Sequence, residues 1–215
     1  MWRCLVLFKR CIVIRKHCLV FAKRGLVPRE RCCSLPECIP MGSFSYASVR
    51  RGLMVYNREA AVRYANTWWN SRNPAFPSFD VDCTNYISQC LLAGGAPMHG
   101  YPNRERGWWL RGGTWSLSWS TPHSLRWYFA GSKKGLTAKQ VSSAEELGLG
   151  DVIFYDFQGD GRYDHSTIVT AKDGNVPLVN AHTFDAQHRN WAYKDSYMFS
   201  PNAKYVFFKI NDQIS

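Results

Sequence analysis

DCTNYISQCLLAGG, residues Asp82 to Gly95, is the stretch on which the fold turns. Asp82 is a helix-capping residue, and Gly94-Gly95 is a helix stop. Between them Ile87, Cys90 and Leu91 recur at helical spacing and form an inner face. Cys83 falls in the first turn, flanked by the polar Asp82 and Thr84. There a sulfur faces free backbone N–H groups and the positive end of the helix dipole, which lowers a thiol pKa. A nucleophilic cysteine needs this, because the thiolate attacks. Cys90, two turns deeper, has the setting of a cysteine that packs as a small hydrophobe.

Working outward, Asn57 caps an earlier helix whose Ala61, Tyr64, Ala65 and Trp68 share one face, and Asn73-Pro74 ends it. Gly100 to Ser120 is loop-rich and carries Trp108, Trp109, Trp115 and Trp119, and Pro122 to Phe129 is a short helix. After Leu147 the period changes. Asp151–Tyr155, Ser166–Ala171, Pro177–Thr183 and Tyr205–Ile210 are predicted strands, with a turn at Lys172-Asp173-Gly174-Asn175 joining the second to the third. Helices followed by an antiparallel meander define an α+β fold, with N-terminal helices packed on a small antiparallel sheet.

A thiolate nucleophile requires a base and a group that orients it. His165 enters a strand from the loop DFQGDGRYD, so its ring projects at the sheet edge. A hairpin centred near Gly174 brings the region of Thr183 opposite, and Asn180 and His182 share one face of that strand. Either can fix the imidazole tautomer. Cysteine on an early helix, histidine on a strand and a polar residue on the next strand is a papain-like order.

The stretch Tyr56 to Ile210 resembles the bacterial putative amidase domain family. The resemblance is carried by YNREAAVRYANTWWN, DCTNYISQCLLAGGAPM, GWW, WSTPHSLRWYF, GDVIFYDFQGDGRYDHSTIVTAK and PLVNAHTFDAQHRNW, and covers about three-quarters of the chain. The family is similar to the NlpC-like and CHAP cysteine hydrolases, which cleave amide bonds in cell-wall peptides. The resemblance implies Cys83 of DCTN as nucleophile and His165 of DHST as base. It puts the orienting residue on Asn180 of LVNA, with His182 as the alternative. The implied function is thiol-dependent hydrolysis of an amide bond in peptidoglycan peptides, with no required cofactor. The competing reading is an inactive papain-like domain that binds cell-wall or partner peptides.

Two further features bear on the site. Asp156, Gln158, Asp160, Gly161 and Asp164 follow the spacing of a calcium loop, but Thr167 stands where a bidentate Glu is needed. The segment reads either as a one-sided Ca²⁺ loop or as a hydrogen-bonded turn rich in Asp and Gly. The cluster Trp108, Trp109, Trp115, Trp119 and Trp127 reads as packing or as the wall of a groove for a glycan or peptide.

The net charge of +11 over 215 residues suggests nucleic acid until it is located. Residues 1–51 hold 11 Lys+Arg against 2 Asp+Glu, and residues 52–215 hold 16 against 14. The second part therefore has no electrostatic reason to prefer phosphate, and no nucleic acid is expected to bind it. No apolar run reaches the roughly 20 residues of a membrane span, so no transmembrane segment is expected. Six of the eight cysteines also lie early, at positions 4, 11, 18, 32, 33 and 38, and Cys4, Cys11 and Cys18 each open a similar heptad. The apolar part of each heptad is too short for a secretory signal and too poorly striped for a one-faced amphipathic helix. A membrane-surface helix and a zinc site on Cys32, Cys33 and Cys38 are the weaker readings. Residues 1–53 are expected to be a disordered or non-native leader, with Met41 and Met54 as alternative initiators, and 54–212 the amidase-like domain. Location follows from the start: cell wall or extracellular with an export signal, cytoplasmic without one.

Overall fold

The computed structural model describes residues 54–214 and two short strands, β1 (Phe21–Ala22) and β2 (Gly25–Leu26). The chain divides into two compact units, Met1–Arg50 and Arg51–Ser215. In the first, β1 and β2 pair antiparallel, Phe21 with Leu26. The heptads, the early cysteines and the expected leader otherwise lie outside the described residues.

The second unit runs β3 (Met54–Val55), α1 (Arg58–Trp68), α2 (Cys83–Ala93), β4 (Leu110–Arg111), β5 (Thr114–Trp115), α3 (Leu117–Ser120) and α4 (Pro122–Gly131). It continues β6 (Ala138–Val141), β7 (Val152–Asp156), β8 (His165–Asp173), β9 (Val176–Ala181), β10 (Ala186–Asn190), β11 (Lys204–Ile210) and β12 (Gln213–Ile214). Four helices thus precede a six-stranded sheet of order β10-β9-β8-β7-β11-β6, antiparallel throughout. The mixed α/β character, with helices first, agrees with the period change in the sequence. The edge strands β6 and β10 were not anticipated. AKQV and AQHRN are polar and lack the apolar alternation that marks a strand, so only pairing with β11 and β9 makes them strands.

α1 starts where Asn57 accepts the Ala60 N–H at 2.9 Å, and it turns Ala61 and Ala65 inward. Small residues there let α2 approach closely. α2 departs from its one-faced sequence pattern: every residue from Cys83 to Leu91 is buried. A helix buried all round must find partners for its polar side chains. Tyr64 donates to Gln89 at 2.6 Å, Trp119 Nε1 donates to Asn85 at 2.8 Å, and Trp108 Nε1 donates to Ser88 at 2.9 Å. Trp108, Trp109 and Trp119 are therefore core, and their indole N–H groups complete that core's hydrogen bonding. Trp127 alone of the five projects into solvent, 57% exposed, and Trp115 is half-buried. α2 ends at Gly94, where any side chain would run into the Tyr56 ring, and Gly95 takes the left-handed φ of 91°.

The two faces of the sheet carry separate cores. Val152, Phe154, Ile168, Val206 and Phe208 face the helices with Ile87 and Leu91. Ile153, Tyr155, Val169 and Val179 face the other way, under Leu147, Phe157 and Tyr193. The strict alternation is the period-2 rule of a sheet covered on both sides.

Asp151 ties helix to sheet. Its fully buried carboxylate accepts from Arg58 Nη1 at 2.6 Å, from the Gly148 N–H at 2.8 Å and from the Ile210 N–H at 2.9 Å. Arg58 keeps a second carboxylate, Asp212 at 2.7 Å, but the two backbone N–H groups depend on the Asp151 carboxylate. Asp151→Ala is expected to destabilise by about 3 kcal/mol, with two backbone donors losing their acceptor and Arg58 one of its two carboxylates. Chemical denaturation of the two proteins measures this, and a loss below about 1 kcal/mol would show that water replaces the carboxylate.

Candidate active site

Asp82 does not cap α2 with its side chain. Its carboxylate reaches backward and sideways: Oδ1 accepts from the Phe79 N–H at 3.1 Å and Asn85 Nδ2 at 2.8 Å. Oδ2 lies 2.6 Å from His182 Nδ1 and 3.3 Å from Arg72 Nε. The Asp82 N–H donates to Thr183 Oγ1 at 2.8 Å, and the Asp82 carbonyl accepts the Tyr86 N–H at 2.9 Å. Cys83 follows as the first residue of α2, only 1% exposed. Its sulfur lies 3.7 Å from Thr84 Oγ1, which is 3.0 Å from Ser166 Oγ on β8. The helix-start position predicts a depressed thiol pKa. Burial instead pushes it up, and hydrogen bonding from Thr84 and Ser166 offsets only part of that. The resting site holds a thiol.

His165 opens β8 opposite Tyr155. That register turns its ring to the second core, where it packs against Tyr155, Phe157 and Tyr193 at centroid distances of 5.6, 6.2 and 5.4 Å. It is 2% exposed. Burial, helped by the Arg189 guanidinium, holds its pKa at about 3 against an ordinary 6.5, so the imidazole is neutral. Its Nε2 lies 3.4 Å from the Tyr193 hydroxyl, and the Arg189 guanidinium sits 4.4 Å over the Tyr193 ring. Tyr193 itself is pushed up by burial, against the pull of the Arg189 guanidinium. Cys83 and His165 are linked through their chain neighbours, Thr84 meeting Ser166, and no hydrogen bond joins the Cys83 sulfur to His165 among the described residues.

The two residues expected to orient His165 point elsewhere. Asn180 sits on β9 opposite Ile168, on the helix side of the sheet. Its Oδ1 accepts from Thr170 at 2.7 Å and from the His188 N–H at 2.9 Å, and its Nδ2 donates to Asn66 on α1 at 2.9 Å. His182 lies between Asp82 and the Trp68 carbonyl, 2.6 Å from each. The ring nitrogen of His165 meets Tyr193, which sequence reasoning missed. Nothing around Asn190-Trp191-Ala192-Tyr193 carries a chemical signature. The contact spans 28 residues, and it depends on Tyr193 adopting a left-handed φ of 53°.

The Asp-rich loop before His165 spends its oxygens on its own backbone. Asp156 accepts from the N–H groups of Gly159, Asp160 and Gly161 at 2.7, 3.2 and 2.8 Å, and Asp164 accepts from the Phe157 N–H at 3.0 Å. Gln158 turns its amide nitrogen toward Asp164. Among the described residues no cluster of three or more His, Cys, Asp or Glu is arranged to hold a metal ion. Tyr163 and Asp164 line a groove of about 920 Å³ together with His123 and Ser124. Among the described residues no helix is long and apolar enough to cross a membrane.

With helices, sheet and site in place, relationship can be stated. The chain belongs to the family described as "Putative amidase domain", which matches residues 55–209. It is 57% identical over 158 residues to the uncharacterized protein YhbB of Bacillus subtilis (strain 168), covering 73% of this chain and 51% of YhbB. It is 28% identical over 144 residues to the uncharacterized protein YjcM of the same organism, covering 60% of this chain and 31% of YjcM. The chain therefore spans about half the length, or less, of these relatives. No solved structure matches it.

The buried neutral His165 makes stability depend on pH. As pH falls below 6.5 the unfolded chain binds this proton first, while the folded ring resists it down to about 3. The sign is a loss of stability with falling pH across that window. His165→Gln removes this contribution, so its unfolding free energy should fall less than that of the parent between about pH 6 and pH 4. Parallel curves from denaturant titrations at several pH values would mean that the ring is not held neutral.

Proposed function

We propose that this domain is a thiol-dependent amidase of papain-like design, with Cys83 as nucleophile and His165 as general base. The observation that supports it best is the position of Cys83: first residue of α2, its first turn hydrogen-bonded to β8 through Thr84 and Ser166, one residue from His165. Membership of the amidase family supports hydrolysis of an amide bond, and the resemblance to cell-wall hydrolases favours a peptide or N-acyl bond of peptidoglycan as the substrate class.

In this reading the reaction starts from a neutral pair. As the Cys83 sulfur attacks the amide carbonyl, its proton passes to His165, and the resulting imidazolium returns it to the departing amine. The thioester left on Cys83 is hydrolysed by water, with His165 as base. Free N–H groups of the first turn of α2, that of Cys83 among them, stabilise the oxyanion. Tyr193, whose hydroxyl touches the imidazole, is a third member of the site: it covers His165 and holds the ring in place. Because sulfur and imidazole are both nearly inaccessible, substrate entry requires the segment bearing Tyr193 to shift, which also rehydrates His165 and restores its basicity.

That same burial supports the second reading, a papain-like domain that binds peptides without cleaving them. Mutagenesis separates the two. On purified peptidoglycan stem peptides, Cys83→Ser should cut amide hydrolysis on the order of 10³-fold with little change in melting temperature. Cys90→Ala, two turns deeper on the same helix and packed in the hydrophobic core, should keep activity and lose stability. Release of new amino groups is the measurement. Absence of cleavage by the parent, or equal loss in both variants, would leave only the binding role.

A further inference from the structure

His182 is 1% exposed, and both of its ring nitrogens meet oxygens that accept. Nε2 is 2.6 Å from the Trp68 carbonyl, which has no proton to give, so Nε2 carries a hydrogen. Nδ1 is 2.6 Å from Asp82 Oδ2. That bond needs one proton, and the surroundings of Asp82 decide where it sits. The carboxylate already accepts from the Phe79 N–H and from Asn85 Nδ2, and the Arg72 guanidinium lies 3.3 Å from Oδ2, so groups of positive character surround its oxygens. The proton therefore resides on Nδ1. The Tyr86 ring lies nearly parallel to the imidazole, 4.0 Å between centroids and 23° between planes, and offers its face to a cation. Asp185 balances Arg72 through a two-pronged contact at 2.8 and 3.1 Å. Arg72, His182, Asp82 and Asp185 so form a closed set of two positive and two negative charges.

We propose that His182 is a fixed imidazolium, with both ring nitrogens protonated in the native protein, and that it acts as a positioning residue for the nucleophile. It joins the carbonyl end of α1, through Trp68, to the carboxylate immediately before Cys83. The first turn of α2 is thereby set from the sheet side by a charged hydrogen bond, and not by a side-chain cap of its own. The protonation state stands independently of the amidase reading. The positioning role rests on that reading.

Nitrogen-15 NMR of the full chain at neutral pH tests the protonation state directly. For one histidine, absent from the spectrum of His182→Gln, both ring nitrogens should carry slowly exchanging protons. A bare nitrogen on that ring would overturn the proposal. A thermal-melting cycle tests the charge pairing and applies even where no substrate is cleaved. His182→Gln alone should lower the melting temperature by several degrees, because it leaves buried Asp82 with only the more distant Arg72, itself shared with Asp185, and adding Asp82→Asn should recover part of the loss. Losses that simply add would show two independent packing defects and sink the charged pair. For positioning, the readout is Cys83. His182→Gln should lower kcat severalfold with KM little changed, and should change the rate of Cys83 alkylation by iodoacetamide in parallel. Normal Cys83 alkylation together with unaltered kcat would remove the positioning role, whereas a parent that never cleaves would remove the amidase reading and leave the NMR and melting results to decide the rest.

Discussion

A single carboxylate holds the start of the central helix. Asp82 gathers hydrogen bonds from the segment before α2, from α2 itself and from His182, the residue after β9, and an ion-pair contact from Arg72 in the loop after α1. Each charged hydrogen bond is worth roughly 1.5–3 kcal/mol when its partner is present, and costs at least as much when one side is left alone. The consequence is local rigidity. α2 is buried on all sides, so a shift of its first turn would have to move Asp82, and Asp82 cannot move without breaking contacts to four segments at once. Cys83 inherits that rigidity because it is the next residue.

The same burial that fixes the site also sets its electrostatics. A sulfur at a helix start gains from the dipole, but that gain is typically below about 1 kcal/mol at an exposed terminus, while desolvation of a thiolate can shift the balance by several pKa units of 1.36 kcal/mol each. In this chain desolvation is the larger effect for both Cys83 and His165, and it drives them in opposite directions, thiol up and imidazole down. Both changes favour the uncharged pair over the thiolate–imidazolium pair. A buried thiol in this form is protected from oxidation and alkylation, and under the proposed function its activation belongs to the moment when substrate and water enter.

Much of this was legible from the residues. The cap at Asn57, the helix between Asp82 and Gly94, the turn around Gly174 and the switch from period 3.6 to period 2 after Leu147 are local signals, and the structure follows them. What failed to show was non-local. The polar strands β6 and β10 exist only because β11 and β9 offer them partners. The helix α2 reads as one-faced because Thr84, Asn85, Ser88 and Gln89 are polar, yet each is buried against a partner. At the site, sequence order put Asn180 or His182 beside His165. Period-2 alternation explains the discrepancy: Ser166 and Ile168 face the helices, as Asn180 opposite Ile168 does, whereas His165 falls on the other parity. Its contact with Tyr193 is the product of a left-handed residue in a loop, which no pattern of residue types announces.

That parity has a mechanical consequence. Cys83 rides on a helix packed over one face of the sheet, while the His165 ring lies on the opposite face. In the middle of a strand two such side chains could never meet, since a sheet is opaque to hydrogen bonding across its thickness. They can meet only around a strand end, and His165 is the first residue of β8. The loop that delivers it is stiffened by the three N–H bonds to Asp156 and by the clasp of Asp164 on Phe157. Those carboxylates therefore govern the ring's reach toward the sulfur although neither touches it. Tyr193 opposes that reach by occupying the imidazole nitrogen from the far side. In the proposed mechanism the alignment of His165 with Cys83 is thus a contest at one strand terminus, between a turn that fixes the backbone of His165 and a tyrosine that draws its ring away.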